Sequence, residues 1–480
     1  MMSGVQNQSV IQSPASEPRM RPIGNTEYSW CKAVPVGTGI TVLALLLTKP
    51  VDYSLLLSAL HHLQDSHPIL RSKLHFDAAT ASFSFFTPRD SDLVVSTFDL
   101  ESTVQILEGS GSGQLDALAP SRFHLILEHE MGQNSWRDVD PSSDRDWELL
   151  HASVYSLEEA RWTVVLRIHT AACDRAAAEA VMRELLAVVG GGGAVGKGMD
   201  GEEKKEVDAE IEKLIPPGKA DKPFWVRGVN LLGYSLTSLR MSNIDFVDTS
   251  SPRSSQVVRL RMNSDDTRRL LAGCESREIK LCGALAAAAK MTAHSSKDLP
   301  ANKWEKYAVI TLTNCRPILD PPLPSNSAGF YHLAILNSHD ICGGEKLWEL
   351  AKRTYTSFSK AKDNNKHFSD MGDLNFLMCR AIENPRLTPS SSMRTAFLSV
   401  FEDDIFDESS RLQQEVGLED YIGCSSVHGA GPSIAFFHTV RNGQLDCACV
   451  YPSPLHSREQ ITKFVDDMRR ILINCDEPVN

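Results

Sequence analysis

The sequence predicts an α+β protein built from two related domains, each with a mixed sheet flanked by helices. Three observations support this fold class. Strand-length runs of β-branched and apolar residues alternate with helical patterns in both halves of the chain. Asn442-Gly443 lies between two apolar runs, which is a strong β-hairpin signal. Consecutive glycines at 190–193 lead into a charged run at 202–206, a composition typical of a flexible connection.

Length and composition narrow the class of protein. A chain of 480 residues exceeds what one hydrophobic core usually supports, so two domains are expected. The apolar fraction of 42% and the charged fraction of 23% are ordinary for a soluble protein. A net charge of −12 argues against a nucleic-acid partner, because phosphate contact needs clustered Lys and Arg. No apolar run reaches the ~20 residues that cross a bilayer, so no membrane partner is expected.

These features divide the chain into four parts. The first twenty residues are polar and lack the apolar segment of a signal peptide, so 1–20 is predicted to be a disordered tail. A first domain is expected at 21–189, a flexible crossover linker at 190–225, and a second domain at 226–480.

The eleven cysteines are scattered and do not form a metal-ligand pattern. The close pair Cys447-Ala-Cys449 has no second pair that would complete a zinc site. We therefore expect buried thiols, a reducing compartment, a cytoplasmic location and no metal.

The elements of the first half follow from hydrophobic periodicity. A leucine stripe marks a helix at 51–66, which ends before Pro68 because the residue preceding proline is pushed out of the helical region. The region 109–146 is mostly polar and loop-rich, apart from the apolar run 123–127. The other predicted elements are strands at 40–48, 69–76, 82–86, 147–156 and 162–168, and a helix at 176–189.

The second half has the same mixed character. Its predicted strands are 256–262, 307–314, 330–336, 394–401, 433–440 and 445–451. Its predicted helices are 264–273, 282–292, 346–358 and 457–473.

A short loop between the strand at 162–168 and the following helix carries the most suggestive polar residues. His169, Thr170, Cys173 and Asp174 lie within six positions of one another. Loops between buried elements commonly carry binding and catalytic groups. Asp174 also suits a helix N-cap, because its carboxylate can accept from the free amides of the first turn.

The order of several short motifs along the chain resembles the order found in a known superfamily. His67-Pro68-x-x-Arg71 is followed by His169-x-x-x-x-Asp174, then by Asn314-Cys-Arg316-Pro317, and finally by the hairpin and helix at 432–473. Together these resemble the chloramphenicol-acetyltransferase-like superfamily over roughly residues 21–475. The superfamily contains CoA-dependent acyltransferases, including BAHD-like and polyketide-associated enzymes, and the condensation domains of peptide synthetases.

The resemblance implies two related domains with a channel between them and a His-His-x-x-x-Asp-Gly motif at its midpoint. In that motif the second histidine takes a proton from an acceptor hydroxyl or amine, which then attacks a thioester. The motif's aspartate is structural and pairs with an arginine, here Asp174 with Arg316. Acyl-CoA would be a co-substrate, a small molecule would be the acceptor, and no bound cofactor would be needed. The chain is expected to be a monomer.

The sequence departs from this motif in two ways. Aligned on Asp174, it places His169 on the first histidine, Thr170 on the base and Arg175 on the glycine. Alternatively, His169 occupies the base position, and Cys173 then replaces the aspartate. The BAHD motif Asp-Phe-Gly-Trp-Gly is also absent from the corresponding region, 423–432. Threonine cannot act as a general base near neutral pH, and such a base typically contributes ~100- to 10,000-fold.

Two functions therefore remain open. The first is a CoA-thioester-dependent O- or N-acyltransferase with His169, Thr170 and Asp174 at its centre. The alternative is a non-catalytic relative that serves as a small-molecule-binding or protein-interaction scaffold.

Several residues carry both a functional and a structural interpretation. His169 is either a displaced base or a core histidine, and Cys173 is either a nucleophile or an inert buried thiol. Asp174 is either catalytic or structural, as a cap or as the partner of Arg316. Three histidines of the second half could replace the missing base: His332, His428 and His438. The acidic run 402–404 is predicted to be a solvated loop rather than a metal site.

Overall fold

Strands and helices alternate along most of the chain in a computed structural model of the protein. It describes residues 18–80, 82–109, 120–137, 146–190, 209–222, 241–297, 299–300, 303–407 and 409–474. The described strands are β1 (Arg19–Pro22), β2 (Thr38–Leu47), β3 (Lys73–Asp77), β4 (Ser82–Thr87), β5 (Val95–Phe98), β6 (Trp147–Glu148), β7 (Leu150–Leu157), β8 (Arg161–His169), β9 (Ser254–Arg261), β10 (Glu305–Asn314), β11 (His332–Ile341), β12 (Arg394–Phe401), β13 (Ile405–Asp407), β14 (Leu418–Val427), β15 (Gly431–Arg441) and β16 (Gln444–Ser453).

The helices lie mainly between these strands. They are α1 (Asn25–Ala33), α2 (Tyr53–Ser66), α3 (Leu100–Gly109), α4 (Arg122–Gly132), α5 (Arg175–Val189), α6 (Ile211–Leu214), α7 (Ser264–Glu275), α8 (Leu281–Ser295), α9 (Leu347–Asp363), α10 (Lys366–Ser369), α11 (Met371–Glu383), α12 (Ser410–Val416) and α13 (Arg458–Ile473).

The central sheet of the first half has the strand order β14-β2-β8-β7-β5. Every residue of β2 is buried, as its unbroken apolar run predicts for a central strand. The edge strand β14 comes from the second half and pairs antiparallel with β2. One sheet is thus completed by a strand from the other half, which connects the two halves through backbone hydrogen bonds.

The larger sheet of the second half has the order β11-β10-β12-β15-β16-β9, with β13 paired to β15. It is mixed, because β10, β12 and β15 run parallel while the outer pairs are antiparallel. Helices α8 and α13 contribute their buried faces to the core of this half. The predicted α+β class with mixed sheets flanked by helices is confirmed.

Two local predictions are wrong. The run 69–76 was expected to be one strand, but Pro68–Arg71 forms a 3-10 turn and β3 begins only at Lys73. Pro68 favours a helical turn start, because its φ is already fixed near the helical value. The loop-rich region 109–146 contains α4, whose buried face includes Phe123 and Leu127.

The predicted domain divisions are only partly described. At the predicted tail, β1 begins at Arg19 and pairs with β4. Within the predicted linker, α6 packs Ile211 and Leu214 against a cluster that includes Leu333. Residues 191–208 and 223–240 lie outside the described residues. In the described part of the chain, none of the helices has the length and apolar character needed to cross a membrane.

A buried lysine gives a prediction about stability. Lys290 in α8 is fully buried and donates to Thr354 Oγ1 at 2.5 Å. Burial, with a smaller contribution from Arg353, lowers the pKa of Lys290 to about 7. An unfolded lysine holds its proton up to about pH 10. Between about pH 7 and pH 10, Lys290 holds its proton in the unfolded state but not in the folded state. The free energy of unfolding therefore rises with pH over this range.

We expect Lys290→Met to raise the free energy of unfolding near neutral pH by about 2–4 kcal/mol. It should also flatten the rise in stability between about pH 7 and pH 10, as measured by urea unfolding. Lys360→Met, at an exposed position of α9, is the control and should change little. An unchanged pH profile in Lys290→Met would contradict this interpretation.

Candidate active site

The loop between β8 and α5 lies against the second half of the chain. β8 ends at His169, and Thr170–Ala172 form a 3-10 turn. Cys173 then makes a parallel bridge with Gly329, and the Asp174 amide donates to the Gly329 carbonyl at 3.1 Å. These contacts fix the loop at the junction of the two halves.

Asp174 is the most extensively bonded residue of this loop. Its Oδ2 accepts from Arg316 Nη1 at 3.0 Å and from the Tyr331 amide at 2.8 Å. Its Oδ1 accepts from Arg316 Nη2 at 3.0 Å and from the Ala177 amide at 3.0 Å. The predicted N-cap and the predicted pairing with Arg316 are both confirmed.

Both members of this ion pair are almost completely inaccessible to solvent. Burial opposes the ionisation of Asp174, but Arg316 and His332 outweigh it and hold the pKa of the carboxyl well below its usual value. Arg316 also donates to the Ser327 carbonyl at 2.9 Å and stacks over the Tyr331 ring. The pair therefore connects the two halves through a permanently charged, fully bonded contact.

A cavity of about 150 Å³ lies beside this ion pair. Its walls come from both halves and are largely apolar, with Trp30, Leu43, Met182, Leu312, Phe330, Phe401 and Phe437 among them. The polar groups on its surface include Thr170, Asp174, Arg175, His332 and Ser425. Sites that bind small molecules are usually apolar pockets with a few polar groups directed into them.

Thr170 lines this cavity, as its alignment with the family's base position leads one to expect. Its Oγ1 lies 2.8 Å from Thr41 Oγ1 and 3.5 Å from Ser425 Oγ. The side chain is 5% exposed. This cluster of hydroxyls can donate or accept hydrogen bonds, but it has no group that holds a proton reversibly near neutral pH.

His169 lies outside the cavity lining, in the core of the first half. It is fully buried and packs edge-on against Trp136, with ring centroids 5.3 Å apart. Its Nδ1 accepts from the Ala171 amide at 3.2 Å, and burial lowers the pKa of His169 to about 3. The geometry matches the structural interpretation of this histidine; its predicted catalytic role stays a prediction.

The three candidate replacement histidines are separated by the fold. His428 is bonded to Ser255 Oγ at 3.0 Å, and burial lowers its pKa to about 4. His438 is fully buried beside Asp404. His332 lines the cavity, and its Nδ1 lies 2.8 Å from Asp174 Oδ2, at an angle outside normal hydrogen-bond geometry.

Arg175, at the family's glycine position, reaches from α5 into the second half. It donates to the Asp403 carbonyl at 2.9 Å and to the His438 carbonyl, and its guanidinium lies 4.7 Å from the centroid of the Phe401 ring. Burial lowers the pKa of Arg175 to about 10, although the nearby Glu179 opposes this shift. Arg175 therefore fills one side of the cavity with a long side chain where a glycine would leave space.

The remaining sequence candidates have structural surroundings. Burial raises the pKa of the Cys173 thiol, which disfavours the thiolate a nucleophile needs. The prediction that 402–404 is solvated is wrong for Glu402, which is buried and paired with Lys280 and Lys362. Among the described residues, no cluster of His, Cys, Asp or Glu has the arrangement of a metal site.

Sequence reasoning did not connect His332 with Asp174. The two residues lie in different halves and come together only because β11 starts beside the loop after β8. No local spacing marks such a pair. The resemblance placed Arg316 opposite Asp174, but His332 carries no motif of its own.

Comparisons with known proteins give matches at the level of structure. No family model and no curated protein sequence matches the chain. It superposes on the trichothecene 15-O-acetyltransferase of Fusarium sporotrichioides with a TM-score of 0.67 and 10% identity, covering 96% of each chain. With polyketide synthase associated protein 5 from Mycobacterium tuberculosis the TM-score is 0.63 at 16% identity, covering 95% of this chain and 97% of that one.

A third similar structure is the epimerization domain of the third module of tyrocidine synthetase B. Its TM-score is 0.62 at 11% identity, covering 97% of this chain and 98% of that domain. The chain therefore has the two-lobed chloramphenicol-acetyltransferase-like fold found in acyltransferases and condensation domains. The activities in these names differ, so the fold alone does not select one of them.

Proposed function

We propose that this chain is a CoA-thioester-dependent O- or N-acyltransferase acting on a small alcohol or amine acceptor. The observation that carries the proposal is the cavity at the junction of the halves, where the hydroxyls of Thr170 and Ser425 and the imidazole of His332 face apolar walls. The similarity in fold to a named acetyltransferase supports the same class of reaction.

The cavity suits the reacting end of a thioester. A volume of about 150 Å³ is comparable to that of apolar cavities that hold benzene, so it has room for a short or compact acyl group. Apolar walls exclude water, which would otherwise compete with the acceptor for the thioester. The hydroxyls of Thr170 and Ser425 can donate to the thioester carbonyl oxygen as it gains negative charge. Acyl-CoA acts as co-substrate, and the transfer requires no metal or bound cofactor.

Transfer can be tested by measuring thiol release. The purified chain is incubated with acetyl-, propionyl-, benzoyl- and malonyl-CoA, each with panels of alcohols and amines, and free CoA and acylated products are quantified. We expect acceptor-dependent CoA release with at least one pair. Release no greater than that from heat-denatured protein, with every pair, would contradict the proposal.

A non-catalytic binding role is the second candidate, and two observations favour it. Thr170 stands where the family has its base, and Arg175 occupies space that a glycine would leave open. In that role the cavity would bind a small molecule without turnover. Acyl-CoA that raises the thermal unfolding temperature without any measurable transfer would support it.

The variant Thr170→His discriminates between the two functions. If another residue already serves as the base, we expect transfer to stay unchanged or to fall, because the new imidazole crowds Thr41 and Ser425. If the chain has lost its base, transfer should rise about 100-fold or more from a near-silent parent. Thr170→Val, similar in size to threonine but without a hydroxyl, is the control for lost hydrogen bonding, and initial rates of CoA release are the measurement.

A further inference from the structure

An acyl transfer to an alcohol or amine needs a group in the cavity that can accept the acceptor's proton. Three side chains of the lining could do so: Asp174, Glu179 and His332. Both carboxylate oxygens of Asp174 accept from Arg316, and its lowered pKa makes it a very weak base. The Glu179 carboxylate is paired with Arg183.

The ring of His332 is held in one orientation by its neighbours. His332 is the first residue of β11 and pairs with Asn314 at the end of β10. The ring is 4% exposed and lies edge-on to Phe401, with centroids 5.4 Å apart and an interplanar angle of 87°. Tyr331, the preceding residue, donates its amide to the same Asp174 oxygen that faces the imidazole. The backbone and the ring are therefore both positioned by Asp174.

The Asp174 carboxylate determines which imidazole nitrogen carries the proton. Nδ1 of His332 lies 2.8 Å from Asp174 Oδ2, and the described residues offer Nδ1 no other partner. A proton on Nδ1 is therefore stabilised by the adjacent negative charge, and Nε2 is left with a free lone pair. The two nitrogens lie on opposite sides of the ring, so Nε2 points away from Asp174. An aspartate beside Nδ1 of a catalytic histidine is a recurring arrangement. Here Asp174 acts through its charge, because the angle of the contact lies outside normal hydrogen-bond geometry.

We propose that His332 is the general base of the transfer, with Asp174 as its positioning residue, and that this pair replaces the motif histidine missing at Thr170. The inference rests on the proposed function. Nε2 accepts the proton of the acceptor O–H or N–H bond as the oxygen or nitrogen bonds to the thioester carbonyl carbon. The carbon–sulfur bond then breaks, and the CoA thiolate takes the proton from Nε2 to leave as a thiol. The base thus comes from the second half, from a residue next to Asp174 of the loop between β8 and α5.

The kinetic test compares two histidines of the same strand. We expect His332→Gln to lower kcat by about 100- to 10,000-fold, with little change in acetyl-CoA binding. His339→Gln, also on β11 and buried outside the cavity lining, is the matched control and should keep kcat within about threefold of wild type. Thermal unfolding of both variants shows whether each is folded. A folded His332→Gln that transfers at the wild-type rate would overturn the proposal and leave the proposed function standing.

A second measurement does not depend on turnover. Diethyl pyrocarbonate acylates accessible unprotonated imidazole nitrogens, and peptide mass mapping locates each modified residue. We expect His332, which lines the cavity, to react faster than His169 and His438, which are fully buried outside its lining, and saturating acetyl-CoA to slow the modification of His332. If the wild-type protein transfers no acyl group, the proposed function is wrong. If His332 does not react with diethyl pyrocarbonate, its assignment as the accessible base is overturned, whatever the result for transfer. Asp174→Asn should reduce the reactivity of His332 at Nε2, because an amide no longer favours the proton on Nδ1.

Discussion

Replacement of Arg316 by methionine should lower the free energy of unfolding by about 3–5 kcal/mol. Methionine fills much of the space of the arginine stem but leaves the Asp174 carboxylate buried without its counter-ion. A buried charge that loses its partner keeps its full desolvation cost, which is why such losses exceed those of surface pairs. Urea unfolding monitored by circular dichroism measures the effect.

Two further variants separate lost pairing from lost packing. Asp174→Asn in the Arg316→Met background should restore part of the stability, because a neutral amide has no buried charge to compensate. Arg470→Met removes an exposed arginine with a single local ion pair to Asp467 and should change stability by less than about 0.5 kcal/mol. A loss in Arg316→Met no larger than that in Arg470→Met would contradict the bridging role of the ion pair.

The acid sensitivity of the fold should change with the same substitution. The pKa of the Asp174 carboxyl is lower in the folded protein than in the unfolded chain, where it is about 4. The ion pair with Arg316 therefore stabilises the protein above about pH 4, and this stabilisation is lost as the pH falls further. Without Arg316 this contribution is absent, and the stability of Arg316→Met should fall less steeply on acidification than that of wild type.

The second large effect is expected at Gly429, which lies in the turn between β14 and β15. A Cβ atom added there would lie 2.5 Å from the carbonyl oxygen of Val36 and 2.8 Å from its carbonyl carbon. Backbone atoms cannot rotate away as a flexible side chain can. We expect Gly429→Ala to lower the free energy of unfolding by about 2–3 kcal/mol.

A matched control lies two residues further along the chain. A Cβ atom on Gly431 would meet nothing closer than Thr38 Cγ2 at 3.6 Å, which is an ordinary contact. Gly431→Ala should therefore cost less than about 1 kcal/mol. Urea unfolding measures the stability of both variants. If Gly429→Ala and Gly431→Ala lose the same free energy of unfolding, the close approach to Val36 does not explain the destabilisation of Gly429→Ala.

Two residues of the cavity wall flank the same turn. Arg394 is buried and donates to the carbonyls of Val427 and Gly429, and Val427 and Pro432 line the cavity. Gly429 is needed in this turn because two backbone segments pass closely there.

Elements with strong local signals were predictable from the sequence. Asn442-Gly443 joins β15 and β16 as expected, because an Asn-Gly pair readily adopts the backbone of a tight hairpin. Asp174 caps α5 as predicted, since its side chain satisfies a free amide at the helix start. In these cases the information lies within a few residues of the element.

Features that depend on distant contacts were not predictable. β14 was not predicted because its pairing partner is β2, in the other half of the chain. The buried apolar residues of α4, at 123, 126, 127 and 131, have helical spacing, but the polar sequence around them led to the prediction of a loop. The pair His332–Asp174 likewise exists only once β11 and the loop after β8 have met. The resemblance supplied the fold and Arg316, whereas the structure was needed to select His332 from the three candidate histidines.

The most direct test asks whether acyl transfer takes place in the cavity at the junction of the halves. Ala178 of α5 lines this cavity, and a phenylalanine ring there would fill much of its volume of about 150 Å³. Ala180→Phe, on the same helix but outside the lining, is the control. If the cavity is the transfer site, folded Ala178→Phe should release CoA about 100-fold more slowly than wild type, while Ala180→Phe stays close to it. Undiminished CoA release by Ala178→Phe would contradict that assignment.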